Sequence, residues 1–376
     1  MKIVAKLLTA ASVMAMLAEA DAARAKDILI GNIAELTGSA ADIGKSHSQG
    51  ITIGAEWINA NLDMNGNKVK IVTQDDGTDK GQALTLLNKF ALEDKAALVI
   101  GTASSILAAS IGPRADELKI PMVTIAYSGA VVQGREWVYK ISDTIPNMFG
   151  AIGDYTADIL KPKACVRVWA RDNDGYVLHA KIWGDRVAAK GVKILDDVTV
   201  LISDTDFTAA ATKIIDLKPD CLYLAMSPES SANFLIQAKT AGLDPPTRVI
   251  GGTTMGSSAF LEAAGKAAEG TYSLSEYLPG GVNAVGAAFE KAYIAKYKEK
   301  PDNFAAAGFT LMQVIGHALK VAGPNPTNES IRSAFPKVRD IEIAMGAGQY
   351  TMAGHVGSYG MNILTVKGGK LVVAPR

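Results

Sequence analysis

The sequence predicts an α/β protein built of two doubly wound, parallel-sheet lobes, and three observations carry that prediction. Short apolar runs alternate with helical stretches of about 10 to 15 residues along most of the chain, which is the order of βαβ units. The alternation starts at Asp27 and starts again after Pro146. The length, 376 residues with 48% apolar side chains, suffices for two domains of about 100 to 200 residues, each with its own core.

In the first half, Ile28-Leu29-Ile30 is a strand, followed by the loop Leu36 to Gly44. Ile51, Gly54, Ala55, Ile58 and Leu62 then recur at the spacing of one helix face. Asn65-Gly66 marks a turn, and Val69, Ile71 and Thr73 begin a strand that runs out at Gln74-Asp75-Asp76-Gly77-Thr78-Asp79. A helix carrying Leu84, Leu87 and Ala91 leads to Leu98-Val99-Ile100, a short, wholly apolar run of the kind found in parallel strands covered on both faces. Thr102-Ala103-Ser104-Ser105 supplies helix-capping chemistry for a helix from Ile106 to Leu118. Pro121 to Ala126 repeats the design, ending in Tyr127-Ser128-Gly129, and Tyr139 to Ser142 closes this half.

In the second half, strands are expected at Ala164–Ala170, Ile194–Val200, Cys221–Met226 and Val249–Gly251, with helices ending near Lys190, Leu217 and Ala241 between them. From Tyr277 the order loosens. Two long helices, Ala284–Lys298 and Phe304–Val321, precede a short one at Glu329–Phe335. Short strands then follow at Gly348–Met352, Met361–Val366 and Lys370–Val373. This pattern assigns 26–146 and 277–338 to a first lobe and 147–276 and 339–376 to a second, so the chain crosses between lobes more than once. Such crossings make a hinge over a cleft.

Residues 1–25 read as a secretory signal: Met1-Lys2, a mostly apolar stretch from Ile3 to Leu17, and the small-x-small site Ala23-Arg24-Ala25. The stretch falls short of the roughly 20 apolar residues a membrane anchor needs, and no cysteine follows it to take a lipid. No later segment is expected to span a membrane. Net charge is zero, with 38 basic and 38 acidic residues, which argues against a nucleic-acid partner. The two cysteines, Cys165 and Cys221, each begin an apolar run; an oxidising compartment permits a disulfide, but two buried thiols are the favoured expectation.

Catalytic signatures are sparse. The chain has no Gly-x-Ser-x-Gly elbow, no phosphate loop and no His-Glu-x-x-His pair, and its four histidines, His47, His179, His317 and His355, are scattered. An enzyme is therefore not expected, and neither is a cofactor. Asp75, Asp76 and Asp79 lack the spacing of a calcium loop and read as strand-end and capping chemistry, so no metal is expected.

What remains is recognition. In open α/β sheets, ligands lie beyond the carboxyl ends of the strands, where hydroxyls and main-chain N–H groups can hold an anion. Ser104, Ser105 and Ser128, with neighbouring main-chain donors, suit a carboxylate held by neutral groups. Helix capping alone would also explain Ser104 and Ser105. Glu229, just past a second-lobe strand, is an acceptor for a ligand cation or a carboxylate placed on a helix dipole. Tyr127 and Tyr176 are candidate apolar walls.

The motifs Leu36-Thr37-Gly38-Ser39-Ala40-Ala41-Asp42-Ile43-Gly44, Ile58-Asn59-Ala60, Asp75-Asp76-Gly77-Thr78-Asp79, Ile100-Gly101 with Ser104-Ser105, Asp204-Thr205-Asp206-Phe207 and Lys218-Pro219-Asp220 occur in this order over the whole mature chain. Together they resemble the periplasmic leucine/isoleucine/valine-binding-protein family of ABC transporters. The resemblance implies a type I periplasmic-binding-protein fold, two doubly wound parallel-sheet lobes joined by a three-strand hinge, with ligand trapped by hinge closure. It implies a membrane permease with ATPase subunits as partner; with the N-terminal signal, a soluble periplasmic protein without a lipid anchor is expected, and a monomer. In amino-acid binders of the family, the ligand carboxylate meets a serine in the loop matching Ser104-Ser105 and groups matching Ala126, Tyr127 and Ser128. The ammonium meets an acidic residue after a proline, matched by Pro228-Glu229.

Two departures bear on the ligand. Many members have threonine at the place of Ser128, and Tyr-Gly where this chain has Asp174-Gly175, with the aromatic displaced to Tyr176. Asp174 then stands where it could meet a second donor or cation of the ligand. An amino acid, apolar or branched-chain, is the leading expectation; an aromatic carboxylate, a small amide, or a sensing role toward a partner protein are the alternatives.

Overall fold

The computed structural model describes residues 27–201, 203–243 and 246–375. The expected signal segment, 1–25, lies outside the described residues. The chain divides into two compact units, one comprising residues up to Ala126 with Ala130–Ile141 and Ala307–Arg339, the other Tyr127–Gly129, Ser142–Ala306 and Asp340–Arg376. Apart from the short excursion at 127–129, the chain changes unit three times, after Ile141, Ala306 and Arg339. Residues 277–306, expected with the first lobe, are grouped with the second unit. Asn283 ties the segment to that unit, donating to the Ile343 carbonyl at 2.9 Å, while within the segment Tyr277 and the main chain of Gly280 both donate to Glu290.

The first unit contains strands β1 (Asp27–Ala34), β2 (Lys68–Asp75), β3 (Leu98–Ile100), β4 (Met122–Thr124) and β5 (Val138–Lys140). All are parallel and lie in the order β2-β1-β3-β4-β5. Helices α1 (Ala41–Asn61), α2 (Lys80–Asn88) and α3 (Ser105–Leu118) connect them. The runs of β3, β4 and β5 are buried throughout; Leu98, Val99, Ile100, Met122, Val123 and Val138 have no exposed surface. On one face of this sheet, Val99, Met122 and Val138 join Leu86, Leu87 and Phe90 from α2 and its end with Ala108, Ile111 and Ala115 from α3 in a single core.

The second unit repeats the arrangement. Its helices include α4 (Ile145–Tyr155), α5 (Asp174–Ala189), α6 (Thr208–Leu217), α7 (Pro228–Thr240) and α8 (Ser258–Ala264). Its parallel strands β6 (Ala164–Ala170), β7 (Lys193–Val200), β8 (Cys221–Ala225), β9 (Arg248–Gly251) and β10 (Tyr272–Ser275) follow the order β7-β6-β8-β9-β10. Each unit therefore has the doubly wound order 2-1-3-4-5, whose crevice lies where the order reverses, between the first and third strands. Two antiparallel strands extend the second sheet beyond β10. Both sheet faces are covered, one by Phe207, Ile214, Phe234, Leu235 and Phe260, the other by Ile152, Trp183 and Val187.

Three expectations need correction. Cys165 and Cys221 are not two thiols but one disulfide. The parallel pairing of β6 with β8 puts the two residues directly opposite each other, with Cα atoms 4.6 Å apart. The strand Tyr272–Ser275 and the helix Ile145–Tyr155 were not anticipated, because glycines and prolines around them obscure the periodicity. Among the described residues, the helix Asn303–Ala322 does have the length and composition to cross a membrane. It is a core helix, with Phe309, Leu311, Met312, Val314 and Ile315 all buried.

Candidate ligand-binding site

In the first unit, the loops after β3 and β4 are joined by a chain of hydroxyl bonds. The Thr124 hydroxyl donates to the Thr102 carbonyl at 2.6 Å and accepts from the Ala126 N–H at 3.0 Å, while the Thr102 hydroxyl donates to the Ser104 carbonyl at 3.2 Å. Thr102 and Thr124 have no exposed surface, so these bonds hold the Ser104 and Ala126 loops in fixed register at neighbouring strand ends. Ser104 is the N-cap of α3: its hydroxyl accepts from the Leu107 N–H at 3.5 Å, and Ser105 begins the helix, half-buried.

A residue that the sequence reading passed over sits against this loop. Glu35, at the end of β1 and without exposed surface, accepts the Ser104 N–H at 2.9 Å and the Ala103 N–H at 3.3 Å. Its position has a local cause. A Cβ on Gly44 would stand 2.1 Å from the Glu35 carbonyl oxygen, so only glycine lets the first turn of α1 pack onto the Glu35 main chain. The end of the Leu36–Gly44 motif thereby fixes the start of the site.

The acidic run after β2 does what the sequence suggested. Asp75 accepts from the Leu36, Thr37 and Gly77 main-chain N–H groups and from the Thr37 hydroxyl at 2.7 Å; these bonds, the hydroxyl foremost, hold its carboxyl below the usual range. Asp79 caps α2 through the Gln82 N–H. Asp76 differs. It has no exposed surface, its Oδ1 accepts from the Thr78 N–H at 2.8 Å, and its Oδ2 is buried without a partner. Burial first, then the neighbouring Glu35, Asp75 and Asp79 charges, push its carboxyl up to about 6 against the bond from Thr78.

In the second unit, Asp174 and Glu229 occupy matching places. Asn173 caps α5, accepting the Tyr176 N–H at 3.1 Å, and leaves Asp174 exposed in the first turn. Ser227 caps α7, accepting the Ser230 N–H at 3.1 Å, with Pro228 at the first helical position and Glu229 exposed next to it. Since β6 and β8 are neighbours, both helix starts lie at the crevice where the strand order reverses. Tyr176 is half-buried between them; burial, and then the Glu229 charge, raise the pKa of its hydroxyl. Its ring meets His179 edge-on at 5.6 Å. His179 lies flat on Phe149 at 4.6 Å, its Nδ1 is 3.0 Å from the Tyr223 hydroxyl, and burial lowers it to about 4, so it is a neutral core residue.

Tyr127 and Ser128 are grouped with the second unit. The Tyr127 hydroxyl is committed to the Glu276 carboxylate, to which it donates at 2.5 Å; Tyr359 donates to the other Glu276 oxygen at 2.5 Å, and Asn303 donates to Glu276 Oε2 at 3.3 Å. Glu276, directly after β10, was missed along with that strand. Two surface hollows of about 600 and 490 Å³ also occur in this unit, around Lys266 and around Arg248. They contain none of the residues above and flank the amino ends of β9 and β10.

Two open α/β sheets of the same order, each with polar groups gathered at its crevice, are what a family of solute receptors would share. The family model described as periplasmic binding protein matches residues 27–370. The chain belongs to the periplasmic binding protein family, in its leucine/isoleucine/valine-binding branch. It is 25% identical over 374 residues to the Leu/Ile/Val-binding protein homolog 3 of Brucella melitensis biotype 1, covering 98% of each chain. A solved putative branched-chain amino acid ABC transporter from Rhodospirillum rubrum superposes with a TM-score of 0.85 at 23% identity, over 93% of this chain and 100% of that one. A solute-binding protein of an ABC transporter from R. palustris, solved with benzoate, gives 0.66 at 23%, over 92% and 95%. These likenesses establish the type I periplasmic-binding-protein fold, and the family is one of solute-binding proteins, not enzymes.

Proposed function

We propose that this chain is an exported, periplasmic solute-binding protein that delivers an amino acid, or a solute of that size, to an ABC importer. Its direct partners would then be a membrane permease and ATPase subunits, and it would act as a monomer without a lipid anchor. The two compact units would serve as the lobes, and closure over the solute is the working step: contacts that exist only in the closed state shift the population toward it, and no bond is broken. Ser104, Ser105 and Ala126 supply hydroxyl and main-chain groups from the first lobe. Tyr127, Ser128, Asp174, Tyr176 and Glu229 supply the rest, with Tyr176 as the apolar wall and the two carboxylates as acceptors for ligand donors.

The observation that carries this reading is the gathering of Asp174, Tyr176 and Glu229 at the reversal point of the second sheet, within a chain of this family. The benzoate bound by the R. palustris neighbour and the branched-chain names of the other relatives bracket the solute by size. The test is a thermal-shift screen of the mature protein with amino acids, aromatic acids and amides, followed by titration calorimetry. A true ligand at 100 times its Kd adds about 2.7 kcal/mol to stability. Glu229→Gln and Ser104→Ala are each expected to weaken its binding by roughly tenfold or more, a loss equivalent to one hydrogen bond to a charged group. Unchanged affinity in both variants refutes the assignment of these residues.

A further inference from the structure

Ala126 and Tyr127 are neighbours in the chain, yet they belong to different units. The Ala126 N–H donates to the Thr124 hydroxyl at 3.0 Å within the first unit, whereas Tyr127, Ser128 and Gly129 group with the second, although the residues on both sides of them do not. The Tyr127 hydroxyl donates at 2.5 Å to Glu276, a buried carboxylate 149 residues away, directly after β10. Tyr127 and Ser128 lie outside helix and strand, so side-chain and loop bonds must place them. A phenol donating to a carboxylate is among the stronger of such bonds, because the acceptor is charged and burial keeps water from competing.

Glu276 is itself fixed from several directions. Tyr359 donates to its other oxygen at 2.5 Å, Asn303 donates at 3.3 Å to the oxygen that Tyr127 uses, and its main-chain carbonyl accepts the Gly346 N–H at 2.6 Å. Gly346 has φ +56°, and a Cβ there would stand 2.4 Å from the Gly360 carbonyl oxygen, so glycine lets this turn lie against the main chain that follows Tyr359. Burial of a carboxylate is costly unless its oxygens are bonded, and these donors meet that condition. Of the groups bonded to this fixed carboxylate, Tyr127 is the one that adjoins the candidate site residues Ala126 and Ser128.

We propose that Glu276 is a positioning residue of the solute site: by holding the Tyr127 hydroxyl it fixes the 127–129 segment and so presents Ser128 to the solute. This rests on the solute-binding reading above, and adds to it a residue that itself touches no solute. Tyr127 then acts as a tether. A cluster that only stabilised the fold would treat its two phenols alike, since Tyr359 makes an equally short bond to the same carboxylate but belongs to no candidate site loop.

The test compares Tyr127→Phe, Glu276→Gln, their double variant and Tyr359→Phe in the mature protein. Amide hydrogen exchange without solute reads how firmly residues 127–131 are held, and calorimetric titration with leucine and with benzoate reads the site. Tyr127→Phe and Glu276→Gln are each expected to speed exchange of that segment, and to weaken whichever of the two solutes binds wild type, by roughly tenfold, the effect of losing a hydrogen bond to a charged group. The double variant is expected to lose no more than either single one, because both remove the same bond. Tyr359→Phe is expected to leave segment exchange and affinity within about twofold of wild type while lowering the melting temperature as Tyr127→Phe does. Equal effects of Tyr127→Phe and Tyr359→Phe on the segment overturn the inference, and so does an affinity that stays unchanged when the segment is loosened. Binding of neither solute, nor of any member of the wider screen, instead refutes the solute-binding reading itself, whatever the exchange rates.

Discussion

Removal of the Cys165–Cys221 disulfide, in a Cys165→Ala/Cys221→Ala variant, tests the largest disagreement between the sequence reading and the fold. The bond closes a loop of 56 residues between two adjacent parallel strands, and both cysteines are fully buried. Loop-closure entropy for a chain of that length corresponds to about 4 kcal/mol at 25 °C, because the cross-link restricts the unfolded ensemble far more than the native sheet. In a unit of about 200 residues, each kcal/mol moves the melting temperature by about 2 to 4 °C, so the variant is expected to melt about 8 to 16 °C lower. Differential scanning calorimetry of the mature protein reads this directly, and thiol titration in unreduced denaturant, expected to find no free thiol, checks the bond itself. A melting temperature within about 2 °C of wild type would show that the bridge does not constrain the unfolded chain as this argument requires. Two titratable thiols in unreduced protein would show that no bridge forms.

Other expectations concern the buried acids. Asp76 is raised to about 6 from 3.8, so its contribution to stability is present below pH 4 and is lost as pH rises through 4 to 6, where the folded state must carry a buried charge. Asp76→Asn is therefore expected to gain stability relative to wild type between pH 4 and 7 in urea titrations, and a pH-independent difference would contradict the assignment. Glu276→Gln leaves the Tyr127 and Tyr359 hydroxyls with one neutral acceptor in place of a carboxylate; burial, and then the Glu276 charge, hold both phenols well above their usual range. The expected loss is roughly 2 to 4 kcal/mol in urea unfolding, and a loss below about 0.5 kcal/mol would show that the cluster is dispensable.

Much of the fold was legible because the strands that build both sheet centres are apolar on both faces. Leu98–Ile100 reads as a strand from composition alone, and the structure gives it those same limits. Ser104, Asn173 and Ser227 advertise helix starts through capping chemistry that depends only on neighbouring residues. The parts that were not legible depend on partners distant in sequence. The Cys165–Cys221 bond follows from which strand lies beside β6, and β10, half-exposed at both ends, has no apolar signature of its own. The grouping of residues 277–306 with the second unit was equally hidden, since the bond from Asn283 reaches Ile343, 60 residues on.

The candidate site shows the same limit in sharper form. Strand-end position and side-chain chemistry single out Ser104, Tyr176 and Glu229 as candidates, since the crevice of a doubly wound sheet lies at those ends, and the family resemblance adds Asp174. They were not enough to tell which donors remain available once the chain is folded. The Ala103 and Ser104 N–H groups are taken by Glu35, 68 and 69 residues away, and that bond leaves no trace in the loop's own sequence. The charge of a binding loop is therefore a property of the buried groups behind it as much as of the residues that face the solute.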